Sequence, residues 1–487
     1  MSTTEAVDVP RGGVLSARYR LATLGMVALI GIAAFESLAV TTVMPTIARE
    51  LDGETLYSLA FAAPLASGVV GMVVAGNWAD RSGPRVVVTA SMIAFAVGLA
   101  VVGTAPDMVV LLLGRLVQGL GSGAVIVGLY VMVSRLYPPA LHPSIFAGFA
   151  AAWVVPGLVG PVIAGAVTET LGWHWVFLGA LVAAVPAFAM ILPSLRRVPP
   201  TVPAEGEARV AWSVGRIAWS VGAALAVLAL NLVSELPVWS GAVVVVGAVA
   251  VLGVALRPLL PAGTFRAGPG VPTLVLLRGF VGAAFLGSDV YLPYMLSAEY
   301  GFSTTASGIT LTLGAVAWAA ASWLQGRLGD RVPQLVGIRV GIALVIVGTA
   351  SAAATPLWHL PPAVVIVGWA LAGAGMGFMY PRFSVLVLRW SRDDEKGFNS
   401  SSLTIADSSG SAVALAVTGA AFVQLGGAAQ PAAFVACFVV ALAVAGGAFG
   451  LLGGASSPYS FAACFAIGSA VALLALVLSG RAVPRRT

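Results

Sequence analysis

Five ionisable side chains stand inside stretches of this chain that are otherwise apolar: Glu36, Arg115, Arg278, Asp289 and Asp407. A charge in such surroundings costs roughly 2.5–3.5 kcal/mol on membrane-insertion scales, so each needs a partner or a task. Carboxylates and guanidinium groups placed this way can take up and release protons, bind a cation, or pair statically with each other. Glu36 lies nine residues before Pro45, and Arg115 lies seven residues into its own stretch. At about 1.5 Å per residue these are depths of roughly 13 and 10 Å. The shared depth predicts that the two meet, either as a proton or cation site or as a permanent ion pair that fixes helix packing.

Asp289 follows Arg278 by eleven residues, three helical turns, so both project from nearly one face. Tyr291 and Tyr294 flank Pro293 close by, and that proline can loosen a helix where it lines a cavity. Asp289 is a candidate proton or substrate site, with a static polar contact as the alternative. Asp407, in the segment SSLTIADSSGS, lies at a depth similar to that of Arg278. An Arg278–Asp407 ion pair is expected, with a direct part in proton coupling as the second reading.

The elements that must carry these residues are membrane helices. The chain has 487 residues, 59% of them hydrophobic and 9% charged, against about 25% charged in a typical soluble protein. Roughly 20 apolar residues cross a bilayer core of about 30 Å. That window predicts spans at 21–45, 57–77, 86–105, 108–130, 143–166 and 173–194, then 217–234 and 238–256. A second set follows at 272–296, 305–325, 336–354, 361–381, 400–424 and 459–480, making fourteen. The first stretch reads as a true span and not a signal peptide. The expected organisation is an N-terminal tail (1–20), a six-helix bundle (21–198) and a linker with two extra helices (199–270). A second bundle (271–480) and a short tail (481–487) complete it.

Residues 431–453 are also apolar enough to cross, and positive charge arbitrates. With fourteen spans and a cytoplasmic N-terminus, Arg49 falls outside and Arg115 and Arg278 lie within spans, leaving 22 of the 25 basic residues in cytoplasmic loops. On this count 431–453 is a hydrophobic hairpin or re-entrant piece, and both termini are cytoplasmic. The basic balance is then topology and not a nucleic-acid footprint. Cys437 and Cys464 both sit in apolar runs and read as small buried hydrophobes.

The halves repeat. GNWADRSGPR, from Gly76 to Arg85, falls between spans 2 and 3, and GRLGDRVP, with Asp330 and Arg331, between spans 10 and 11. Gly76, Asp80, Arg81, Gly83 and Arg85 resemble the G-x-x-x-D-R-x-G-R-R loop of the major facilitator superfamily, with Pro84 replacing the first paired arginine. Arg115, Gln118 and Gly119 are similar to its R-x-x-Q-G signature in span 4. PGLVGPVIAG in span 5 resembles the antiporter motif through Gly160, Pro161 and Gly165, with Pro156 and Ala164 where glycines are usual. Glu36 takes the place of an acid common in span 1. The pattern is that of the fourteen-span drug:proton antiporter branch, and it covers nearly the whole chain.

The resemblance implies an all-α polytopic membrane protein of the cell membrane that works by alternating access. Its cavity would lie between spans 1, 4, 9 and 12. It would export hydrophobic or amphipathic compounds in exchange for protons, with Glu36, Asp289 and Asp407 as coupling acids and Arg115 and Arg278 as their ion-pair partners. Gly76 to Arg85, with Asp330 and Arg331, would form the conformational switch. Gln118, Trp153, Tyr291, Tyr294, Trp318 and Trp369 are candidates for the cavity wall. The same features fit an exporter of a lipid or metabolite, or a proton symporter that imports a solute. No clustered catalytic set marks an enzyme and no metal constellation is visible. No G-x-x-x-x-G-K loop points to ATP. The expected partners are a small substrate, protons and membrane lipids, with no cofactor and no nucleic acid, and the chain is expected to act as a monomer.

Overall fold

Without water to satisfy N–H and C=O groups, a chain this apolar must close its backbone hydrogen bonds within helices. The computed structural model describes residues 13–198, 212–233, 238–328, 331–392 and 395–453, and among them no strand occurs. The expected span at 459–480, the tail 481–487, the first twelve residues and Asp330 lie outside the described residues.

The first half comprises α1 (Arg20–Glu50), α2 (Tyr57–Ser82), α3 (Pro84–Gly103), α4 (Met108–Leu136), α5 (His142–Ala151), α6 (Val154–Leu171) and α7 (His174–Arg197). The inserted pair is α8 (Val214–Asn231) and α9 (Val238–Ala255). The second half comprises α10 (Val271–Asp289), α11 (Leu292–Tyr300), α12 (Thr304–Leu328), α13 (Gln334–Leu357), α14 (Ala363–Trp390), α15 (Lys396–Gln424) and α16 (Pro431–Gly453). Among the described residues, thirteen helical segments are long and apolar enough to cross a membrane, and α9 adds a shorter apolar stretch, Val243–Ala255. Local signals set several ends. Asp107 caps α4 by accepting the Val110 N–H at 2.9 Å. Gly83, at φ 78°, makes the turn from α2 into α3, whose first residue is Pro84.

Two of the predicted spans are each built from two helices. Span 5 divides into α5 and α6, and span 9 divides into α10 and α11 just after Asp289, ahead of Pro293.

The halves pack by one plan. In the first, α4 lies on α2 and α3, and α7 lies on α1, α3 and α6. In the second, α14 lies on α12 and α13, and α16 lies on α10, α13 and α15. Helix α16 therefore stands where α7 stands, as the sixth element of its bundle. This corrects the expected hairpin at 431–453, which is instead one continuous helix of 23 residues. No proline follows Pro431 to break it, and its Cys437 is fully buried, with its S–H donating to the Thr418 carbonyl of α15 at 3.3 Å.

The halves meet along two seams, α6 on α12 and α2 on α15. Three hydrogen bonds join the halves at the end of the molecule where α1 gives way to α2 and α10 gives way to α11. There Thr46 and Thr304 share a hydrogen bond of 3.2 Å, and Glu169 accepts the Thr305 N–H at 2.8 Å. The Tyr57 hydroxyl donates to the Val290 carbonyl, which the break after α10 leaves free. At the α6–α12 crossing only glycine fits. A Cβ at Gly165 would lie 2.6 Å from the Thr305 Cα, and one at Gly308 would lie 2.5 Å from the Pro161 carbonyl oxygen. Helix α8 packs against both α2 and α15.

Candidate functional site

Glu36 comes from the middle of α1 and Arg115 from the second turn of α4, and the two form a buried ion pair. The guanidinium also donates to Gln118 Oε1 at 2.8 Å, one turn along α4, and through Nε to the Ala60 carbonyl of α2 at 3.0 Å. One arginine thus ties three helices together with its charge compensated and its donors spread over a carboxylate, an amide and a carbonyl. Glu36 is 8% exposed, Arg115 4% and Gln118 1%.

The second half places its own acid at the corresponding point, on its first helix facing its fourth. Asp289, the last residue of α10, accepts a hydrogen bond from Trp369 Nε1 of α14 at 3.1 Å. Here the partner is a neutral indole. Asp289 has no cationic partner among the described residues, and it lies at the negative end of the α10 dipole.

Arg278 does not reach Asp289, although both lie on one side of α10. The three intervening turns hold them about 16 Å apart. Arg278 pairs instead with Asp407 of α15 at 3.2 Å, as the matched depths predict. Its guanidinium carbon lies 3.3 Å from the centre of the Tyr380 ring, and the Tyr380 hydroxyl donates to Asp407 at 3.0 Å.

A run of rings joins the two acids. Tyr380 meets Trp318 edge-on with centroids 5.2 Å apart, and Trp318 meets Phe285 edge-on at 5.6 Å. Phe285 stacks on Trp369 at 4.9 Å, and Trp369 holds Asp289. Two antiparallel helices carry most of this ladder. Arg278 and Asp289 on α10, and Trp369 and Tyr380 on α14, each stand eleven residues apart. Arg278 meets Tyr380 at one level and Asp289 meets Trp369 three turns away.

Tyr291 and Tyr294, expected on a cavity wall, are instead 0% and 2% exposed. They pack among Tyr57, Phe422 and Phe434 in the closed end of the molecule. Rings of this size gain more from filling the junction of α2, α11, α15 and α16 than from facing a cavity. Gln118 and Trp369 are also buried, whereas Trp318 is half-buried and Trp153, just ahead of α6, is exposed. Gly160, Pro161 and Gly165 lie on α6 within the first seam.

In the loop motif, Arg81 lies 5.3 Å from the Trp212 ring, just ahead of α8, and Asn77 accepts the Ser213 N–H at 2.9 Å. The last turns of α2, which run from Gly76 to the turn at Gly83 ahead of Arg85, are thus docked on the start of the inserted pair. The side chain of Asp80 lies outside the described residues, and Arg331 is exposed just ahead of α13.

Three side chains escaped sequence reasoning. Tyr380 and Phe285 read as ordinary apolar positions, yet the eleven-residue spacing from Trp369 to Tyr380, matching that from Arg278 to Asp289, was a usable signal. Arg382, counted with the loop arginines, is fully buried in α14 and donates to the Val332 carbonyl at 3.0 Å and to Gln334 at 3.3 Å.

Residues 24–364 match the family model described as Major Facilitator Superfamily. The chain belongs to the major facilitator superfamily. It is 27% identical over 438 residues to an uncharacterized MFS-type transporter of Mycobacterium tuberculosis (strain ATCC 25618 / H37Rv), covering 87% of this chain and 62% of the relative. The chain thus spans about three fifths of the length of that relative. It is 25% identical over 424 residues to multidrug transporter protein MdtP of Bacillus subtilis (strain 168), covering 85% of this chain and 77% of that protein. It is 23% identical over 371 residues to multidrug efflux pump SdrM of Staphylococcus aureus (strain N315), covering 75% and 81%. Among solved structures, a POT family transporter aligns with a TM-score of 0.65 at 16% identity, over 87% of this chain and 94% of that one. The human organic anion transporter MFSD10 aligns at 0.60 and 18% identity, over 89% and 99%. These likenesses show the superfamily fold, a bundle of many membrane-spanning helices.

Proposed function

We propose that this protein is a proton-coupled exporter of hydrophobic or amphipathic compounds, and that Asp289 is the carboxyl group that exchanges its proton for substrate. The observation that carries the reading is the contrast between the two acids. Glu36 has a guanidinium, while Asp289 has only an indole N–H and a wall of aromatic rings. An uncompensated carboxylate at membrane depth is balanced by a proton in one state of a cycle and by a cationic or polarised substrate group in another. Phe285, Trp318 and Trp369 add faces that attract cations and apolar rings. The named efflux relatives favour the same reading.

Glu36, Arg115 and Gln118 then act as a fixed strut of the first half, and the Arg278–Asp407–Tyr380 group steadies the second half below the acid. With the basic loops cytoplasmic and the chain in the cell membrane, the closed end is the outer one, so the outer gate is shut. Rocking about the two seams would open it. Energised everted vesicles holding a pH-sensitive dye, challenged with lipophilic cations, neutral drugs and lipids, test the reading. Substrate-dependent proton release that disappears in Asp289→Asn supports it. Proton release that survives in Asp289→Asn, or substrate flux with no proton movement, overturns it.

A further inference from the structure

The inserted helices leave a gap against the second half. Helix α9 packs on α8, while its Leu252, with Leu256 just past its end, faces α10, α15 and α16 across a cavity of about 420 Å³. That volume lies within the ~300–1,000 Å³ of small-molecule sites. The opposite wall is apolar, with Ala283 of α10, Val413 and Val417 of α15, and Val440 and Val444 of α16.

Two features say what fits there. The α15 wall runs from Ala406 to Val417, eleven residues or about 16 Å, close to half of a bilayer core of roughly 30 Å. The groove is therefore one leaflet deep. Its mouth is formed by the α9–α10 connection, where Leu260, Thr264 and Phe265 line the cavity. On that connection Arg257 and Arg266 are exposed, and neither has an acidic partner among the described residues. Apolar walls of leaflet depth, with two exposed arginines that each directly follow a lining residue (Leu256 and Phe265), match a lipid with an anionic headgroup.

We propose that this groove is a binding site for an anionic phospholipid, with an acyl chain between α9 and the α10–α15–α16 wall and the phosphate on Arg257 and Arg266. The lipid supplies the contact that α9 lacks with the second half, beside the direct packing of α8 on α15. The site is separate from Asp289 and stands whether or not the chain exchanges protons.

The full chain, purified and returned to nanodiscs of phosphatidylglycerol mixed with phosphatidylcholine, is analysed by native mass spectrometry for retained lipid. Wild type is expected to keep phosphatidylglycerol selectively. Arg257→Gln/Arg266→Gln should lose roughly tenfold or more of that preference. Val444→Trp, which fills the groove, should lose retention of both lipids, with melting temperature confirming that each variant is folded. Unchanged selectivity in the double arginine variant, or unchanged retention in Val444→Trp, overturns the proposal. So does a disulfide between Cys464 and Val413→Cys, since the chain's own C-terminal segment would then fill the groove.

Discussion

Trp369 donates its indole N–H to Asp289 at 3.1 Å, in the place where the first half sets Arg115 against Glu36. The two halves keep one geometry, an acid on the first helix held from the fourth, and differ in whether the holder carries charge. On the proposed function, that difference divides the labour of two residues with similar side chains.

Glu36→Gln and Asp289→Asn should therefore fail differently. Removing the Glu36 charge leaves a buried guanidinium uncompensated, which is expected to cost about 3–5 kcal/mol. It should show as a lowered melting temperature and a poor yield of folded protein. Asp289→Asn should fold as well as wild type and lose proton flux. Equal thermal losses in the two variants would refute the division.

Trp369→Phe keeps the ring stacked on Phe285 and deletes the N–H. A hydrogen bond to a charged group contributes about 1.5–3 kcal/mol, so substrate-driven proton flux should fall roughly tenfold or more. Helix content by circular dichroism should stay near wild type, and melting should fall by no more than the loss of that one hydrogen bond. An unchanged flux would mean that the indole N–H does not position Asp289.

Arg278 and Asp407 should behave as a pair. Either Arg278→Gln or Asp407→Asn alone strands a charge at depth, at about 2 kcal/mol once partial exposure is allowed for. The double neutral variant should recover much of the lost melting temperature. Additive losses would show that the two charges are not coupled.

Much of this was legible in the sequence. Hydropathy places the helices, and shared depth pairs Glu36 with Arg115 and Arg278 with Asp407. The same arithmetic left Asp289 without a partner, because an indole N–H donor carries no charge and a depth argument built on charges does not register it. Residues 431–453 misled for a related reason. Counting basic loops constrains only how many crossings separate them, and it does not say which of two neighbouring apolar stretches completes the bundle. Packing decides that, through the place of α16 against α10, α13 and α15. Tyr291 and Tyr294 lie at the right height for a cavity, and only the tertiary arrangement shows that they plug the closed end.

That closed end can be trapped. With Cys437 and Cys464 replaced by Ala, Thr46→Cys/Thr304→Cys should form a disulfide on mild oxidation, because the two hydroxyl oxygens stand 3.2 Å apart. Oxidation should stop transport, and reduction should restore it. Transport that continues with the disulfide formed would show that this junction need not open.

Helix α8 rests against α2 and α15 together, along one of the two seams. In a rocking machine the material beside the axle travels least, however far the outer ends swing. A helix pair attached at that line adds bulk without adding load, since neither stroke has to tear it from one half to follow the other. On the proposed rocking motion the inserted pair behaves like a bearing collar, which two six-helix bundles can carry without relearning how to move.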